Sequence, residues 1–328
     1  MSVARPFDLY AGDGSTLAAR KLEAPFFQKI ADDNPGNYLA DDGLRDAVNV
    51  ALALGQPLLL TGDPGTGKTQ LAASLAYQLG LPSLLRFDVK TTSSAKDLFY
   101  RYDALAHFHD SQFLAEKPAA EAYITYEVLG LAILLSLSPQ EANPFLPERL
   151  RDRGPIRSVV LIDEIDKAPR DLPNDVLNEI ETMSFTVRET GKTFSAAASL
   201  RPVLVLTSNS EKNLPDPFLR RCAFYHIPFP DRMKLAEIVH RRLGLDGGFT
   251  AKMLDNALRY FEEIRKLDLR KKPSTAELLA WIHLLRSLEI DVDHLDPGQA
   301  RELDSSYSLL AKTKDDLDLI KARKRGET

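Results

Sequence analysis

An apolar run, Leu58-Leu59-Leu60-Thr61, passes directly into Gly62-Asp63-Pro64-Gly65-Thr66-Gly67-Lys68-Thr69, and leucines at helical spacing follow at 71, 75 and 79. Three glycines in six positions between a strand and a helix constrain the chain more than any other segment of it. With glycine at 62, 65 and 67 the backbone N–H groups can turn inward around phosphate oxygens, and Pro64 and Thr66 complete the loop. Lys68 adds a point charge for the β and γ phosphates, and the Thr69 hydroxyl suits Mg²⁺.

Around this loop the apolar pattern alternates between strand and helix. Apolar residues at helical spacing from Leu44 to Leu54 stop at Gly55, and Leu84 to Val89 reads as a second strand. Two short β-branched runs, Ser158 to Ile162 and Val203 to Thr207, read as strands buried on both faces. Alternation of this kind predicts an α/β fold with a parallel sheet covered by helices. Residues 91 to 157 read as an insertion with its own helix over about 119 to 137, broken by Pro139, Pro144, Pro147 and Pro155. After Phe229-Pro230 the pattern is helical only, and Ser274-x-x-Glu277 is a capping box.

Val159 to Ile162 ends in Asp163-Glu164, about ninety residues beyond the glycine loop. In a strand adjacent to the loop, Asp163 would hold Mg²⁺ with Thr69, and Glu164 would orient and polarise an attacking water. That acidic pair implies hydrolysis as well as binding. Thr207-Ser208-Asn209 closes the next strand, so Asn209 would emerge at the same carboxyl edge and could fix that water. Arg220 and Arg221 follow the Pro215-Asp216-Pro217 turn, and a guanidinium there could neutralise phosphoryl charge, supplied in trans by a neighbour.

Composition sets the boundaries. A chain of 328 residues suggests about two domains. Its net charge of −5 gives no reason to expect a nucleic-acid binder. The most apolar run, Val128 to Leu137, is about half of the roughly 20 residues a membrane span needs, so no span is expected. One cysteine, Cys222, reads as a small buried thiol, and Met1 to Pro6 runs into charged residues rather than an apolar leader. Both point to a reducing, cytoplasmic setting. His107 and His109, with Asp103 and Asp110, read as polar surface rather than a metal site.

The ordered set Gly62 to Thr69, Val159 to Asp166, Thr207 to Asn209 and Leu214 to Cys222, followed by helices, resembles the AAA+ ATPases and within them the MoxR-like branch. Asp166-Lys167-Ala168-Pro169 leading to Val176 to Ile180 also looks like that branch. The resemblance covers roughly residues 38 to 290. It implies a P-loop AAA+ core followed by a small all-helical lid, with the nucleotide-binding domain at 38–230 and the lid at 231–312; by their own pattern residues 1–37 read as an N-terminal extension, and 313–328 as a charged tail, either a frayed helix or solvated. It implies ATP with Mg²⁺, adenine beside Tyr38 and Leu39, Asn209 as sensor 1, and Arg220 or Arg221 as the arginine finger. It further implies a homo-oligomeric, hexameric ring that remodels or matures a protein client, with a separate von Willebrand-type partner. Where the family carries a sensor 2 arginine, this chain reads Arg270-Lys271-Lys272-Pro273. A nucleotide-gated scaffold with little hydrolysis and a DNA-directed motor stay open as alternatives. No Asn-Lys-x-Asp element follows the loop to favour GTP.

Overall fold

The computed structural model describes residues 34–81, 84–114, 118–210, 214–244 and 249–324. Most of the expected N-terminal extension, residues 1–33, lies outside them. The chain divides into one compact unit from Tyr38 to Pro228 and another that joins the residues up to Asn37 with those from Phe229 onward.

In chain order the first unit runs α1 (Asp42–Leu54), β1 (Leu58–Gly62), α2 (Lys68–Gln78), β2 (Leu84–Asp88), β3 (Tyr100–Tyr102), α3 (Ala104–Phe113), β4 (Ile124–Tyr126), α4 (Val128–Leu135) and α5 (Pro139–Ala142). It continues with β5 (Val159–Asp163), α6 (Leu172–Asp175), α7 (Leu177–Thr182), β6 (Ser184–Val187), β7 (Lys192–Ser195), β8 (Val203–Thr207), α8 (Asp216–Leu219) and β9 (Ala223–Ile227).

Five strands form a parallel sheet in the order β2-β5-β8-β1-β9. Because side chains alternate across a strand, each central strand feeds two cores. Leu58, Leu60, Val159, Leu161 and Val205 pack with α1 and α2 on one face. Leu59, Val160, Ile162, Leu204 and Leu206 pack with α4 on the other. Each fully buried Leu or Ile contributes about 2 kcal/mol.

The structure revises three expectations. The strand next to β1 is β8, so β5 and its acidic pair stand one strand further from the glycine loop than expected. Asp163 still reaches Thr69 because α2 packs over β5.

The helix expected at 119–137 starts only at Val128. Ile124, Thr125 and Tyr126 instead pair antiparallel with Tyr102, Arg101 and Tyr100, a partner that local periodicity does not show. All eight residues of α4 are buried, and it lies against β2, β5 and β7. A Cβ at Gly130 would sit 2.0 Å from the Phe99 carbonyl oxygen, so only glycine allows that approach. Much of 91–157 is therefore a core layer; α3 keeps exposed apolar residues.

The second unit comprises α9 (Arg232–Leu243), α10 (Ala251–Lys266), α11 (Thr275–Ser287), α12 (Pro297–Ser306) and α13 (Lys314–Lys324). Trp281, Tyr307 and Phe261 are fully buried at its centre. The Trp281 indole N–H donates to Ser306 Oγ at 2.8 Å, which satisfies the one polar atom of that ring. Ser274 and Glu277 form the expected capping box.

Of the two readings of the charged tail, residues 314–324 take the helical one, with Ile320 fully buried. Asp316, 1% exposed, anchors it by accepting the backbone N–H groups of Arg270 and Lys271.

Candidate active site

The glycine loop bridges the carboxyl end of β1 and the start of α2. Gly62, Gly65 and Gly67 have φ of +142°, +76° and +92°, values that L side chains rarely adopt. Substitution at Gly62 is barred sterically as well, since a Cβ there would lie 2.6 Å from the Ile227 carbonyl oxygen. Gly67 caps α2 without a side-chain hydrogen bond, which leaves the first N–H groups of the helix for an anion.

Lys68 is buried at 8% exposure, and its ammonium donates to Gly62 O at 2.7 Å, Asp63 O at 3.1 Å and Asn209 Oδ1 at 3.1 Å. Burial lowers its pKa, while Asp166, Asp63, Asp163 and Glu164 oppose the shift. The lysine and the amide on β8's outgoing loop thus meet at one point. Asn209 is fixed from behind, its N–H donating to Asp166 Oδ1 at 3.3 Å.

Asp163 closes β5 at 6% exposure. Thr69 Oγ1 lies 3.1 Å from both of its carboxylate oxygens, and Thr207 Oγ1 donates to Oδ1 at 2.5 Å. Thr207 also accepts the Glu164 N–H at 2.9 Å, so one hydroxyl holds both acidic residues in register. Glu164 adopts the left-handed region, φ +59°, and its carboxylate pairs with Lys167.

Arg86 on β2 is a residue that no sequence pattern singled out. Its Nη2 sits 2.9 Å from Asp163 Oδ2. Only the β2–β5 pairing, Asp88 opposite Asp163, brings it there.

These groups suit a nucleotide phosphate chain and a divalent metal. The glycine cradle admits no Cβ at Gly62, the Thr69 and Asp163 donor set is all oxygen as Mg²⁺ prefers, and Asp163 already seats a cation in the form of Arg86. Tyr38 lies against the loop, its ring 3.1 Å from where a Gly67 Cβ would be, and burial pushes its phenol pKa up.

Arg220 and Arg221 are not brought to this cluster. They immediately precede β9, whose Ala223 is paired with Leu58 at the amino end of β1. The glycine loop leaves the other end of β1, a five-residue strand of roughly 17 Å. Both arginines line a cavity of about 440 Å³ with Glu181, Arg201, Phe218 and Cys222. Arg221 is engaged there, Nε to Glu181 Oε2 and Nη1 to Pro217 O, each at 3.1 Å. The Arg220 guanidinium has no hydrogen bond or ion pair among the described residues. Burial pushes the Cys222 thiol up to about 12, as expected of an inert thiol.

Arg270, the first cation of the sensor 2 stretch, pairs with Asp315 at 2.7 Å. Among the described residues no group of acidic, His or Cys side chains is arranged for a metal, and His107 stacks on Tyr123. No described helix is long and apolar enough to cross a membrane.

Comparison with solved structures returned RuvB from Thermotoga maritima, one described as a Holliday junction branch migration motor, at 16% identity and TM-score 0.43. A variant of it gives 15% and 0.42, and a second 16% and 0.45. The chain aligns over 80% to 82% of its own length and spans 66% to 71% of theirs, just under two thirds for the first. No curated protein matches the chain. A family model does, over residues 57–222, a span that holds the glycine loop, the acidic pair, Asn209 and both arginines. With that match, the five-stranded parallel sheet and the helical C-terminal region, the chain belongs to the AAA domain family, dynein-related subfamily.

Proposed function

We propose that the protein is a Mg²⁺-dependent ATPase of MoxR-like type that works as a homo-oligomeric ring, a hexamer by resemblance, and remodels a protein client in the cytoplasm. One observation carries the reading: Lys68, Thr69, Asp163, Glu164 and Asn209 converge at the carboxyl edge of the sheet, while Arg220 and Arg221 stand at its amino edge. A chain so built holds a phosphate chain by itself and keeps Arg220 and Arg221 away from its own site, where a second copy can supply one of them.

Bound Mg²⁺-ATP supplies the scissile anhydride and the cation that neutralises it. Lys68 exchanges its carbonyl and Asn209 acceptors for phosphate oxygens, and the N-terminal end of α2 adds to the cradle. Thr69 and Asp163 hold the metal. Glu164, once it leaves Lys167, takes up the attacking water, and Asn209 orients that water from the β8 side. Arg220, rather than the engaged Arg221, enters the neighbour's site and stabilises transition-state charge.

A protein client is supported by α3, where Leu105, Phe108 and Phe113 are 79%, 65% and 76% exposed on a net acidic chain. Exposed aromatic and aliphatic residues suit protein contact, and a phosphodiester backbone would call for cations. The separate von Willebrand-type partner remains part of this reading through the MoxR-like motifs.

The test is steady-state phosphate release with Mg²⁺-ATP across a protein concentration series, alongside Glu164→Gln. Specific activity should rise with concentration as a larger assembly forms, and Glu164→Gln should bind nucleotide without turnover. Unchanged turnover in that variant would sink the assignment.

A further inference from the structure

The Asp163 carboxylate is held on both oxygens. Oδ1 is approached by Thr207 at 2.5 Å and Thr69 at 3.1 Å, and Oδ2 by Thr69 at 3.1 Å and Arg86 at 2.9 Å. Three donors, the hydroxyls of Thr207 and Thr69 and the Arg86 guanidinium, thus share the roughly four acceptor positions of the carboxylate, and Thr69 spans both oxygens. A Mg²⁺ ion requires near-octahedral oxygen coordination and cannot share an oxygen with a guanidinium without strong repulsion.

Arg86 has somewhere to go. Two residues apart on β2, Arg86 and Asp88 face the same way, and Asp88 Oδ1 already takes Arg86 Nε at 2.8 Å and Nη2 at 2.7 Å. Leaving Asp163 costs Arg86 one contact of three and returns it toward solvent, since its side chain is 48% and that of Asp88 65% exposed. Asp163, with its side chain only 8% exposed, has no such freedom. A carboxylate that far from water is costly to leave without a cation beside it.

We propose that Arg86 is a positioning residue: it neutralises Asp163 in the nucleotide-free chain, yields that place to Mg²⁺ by withdrawing onto Asp88, and thereby sets the metal concentration at which the site loads. The inference rests on the Mg²⁺-nucleotide reading above. It ties loading of the metal to a strand at the far edge of the sheet, β2.

Calorimetric titration of ADP into the full chain, repeated over a Mg²⁺ series, tests it without turnover. In Arg86→Gln the Mg²⁺ concentration for half-maximal ADP affinity should fall about fivefold, the scale of one half-exposed ion pair. In Asp88→Asn, which removes the alternative partner, it should rise. Metal-free ADP affinity should stay within about twofold of the original in both, because neither residue touches the phosphate loop. A merely structural Arg86 would lower the melting temperature at every Mg²⁺ concentration and leave the Mg²⁺ midpoint where it was. An unchanged or higher midpoint in Arg86→Gln overturns the proposal while ADP binding by the original chain upholds the nucleotide reading. If Arg86→Gln does not fold, an unchanged or lower midpoint in Asp88→Asn overturns it equally. Absence of ADP binding by the original chain at every Mg²⁺ concentration removes both.

Discussion

The two edges of the central sheet carry cations in opposite circumstances. At the carboxyl edge Lys68 is buried and tied to three oxygens of its own chain. At the amino edge Arg221 makes one half-exposed pair with Glu181, and Arg220 has no side-chain partner among the described residues. A buried ammonium is tolerated only with acceptors around it, so the first edge is complete within one chain. A guanidinium with no partner loses little by moving onto another molecule's phosphate. On the proposed reading, the contrast places nucleotide binding within the single chain and divides the machinery for fast hydrolysis between two.

Lys68→Ala should break the complete edge outright. It removes the one buried cation beside the glycine loop among the described residues, so ATP affinity should fall by a factor on the order of 10³, readable by calorimetry. Affinity within a few fold of the original would mean that the acceptors around Lys68 serve structure alone.

Arg220→Ala should leave ATP affinity intact and lower turnover by about 10³, the low end for an arginine finger. Mixing it with Glu164→Gln is the sharper measurement. Each variant is inactive alone, and a mixed ring pairs an intact Glu164 site with an intact neighbouring Arg220. Recovery of phosphate release on mixing requires that the amino edge acts in trans, whereas two variants that stay silent together place Arg220 outside the reaction.

Arg221→Ala should lower turnover less than about fivefold, since it releases one pair of a kind worth at most about 1 kcal/mol. A loss as large as that of Arg220→Ala would reverse the roles of the two arginines.

Lys167→Ala should raise turnover about twofold to threefold. Its ion pair with Glu164 is half-exposed, and turnover needs Glu164 free. A fall would show that Lys167 aligns Glu164 rather than restraining it.

Much of the site was legible because its residues lie where local rules place them. A glycine loop between strand and helix has few conformations open to it, and Gly62, Gly65 and Gly67 take the positive φ values that the pattern calls for. Asp163 and Asn209 follow apolar runs that form β5 and β8, so a parallel sheet brings both to one edge. What was not legible came from pairing at a distance. Arg86 is an unremarkable strand residue until β2 lies beside β5. Ile124 to Tyr126 carry a pattern that serves a helix as well as a strand, and the β3 partner decided it. The charge-dense residues of α13 read equally as a frayed helix or a solvated tail until Asp316 is seen accepting the N–H groups of Arg270 and Lys271.

The sequence by itself determined the α/β fold, the phosphate loop and the residue types of its chemistry, because glycine φ requirements and apolar periodicity act over a few neighbouring residues. Only the tertiary structure decided that β8 separates β1 from β5, that α4 is a core layer under Gly130, that Asp163 rests against Arg86, and that Arg220 and Arg221 stand a strand's length from the loop. Those outcomes depend on which strands pair and which faces bury. Such choices are made by contacts between residues far apart in the chain, whose energies no local pattern contains.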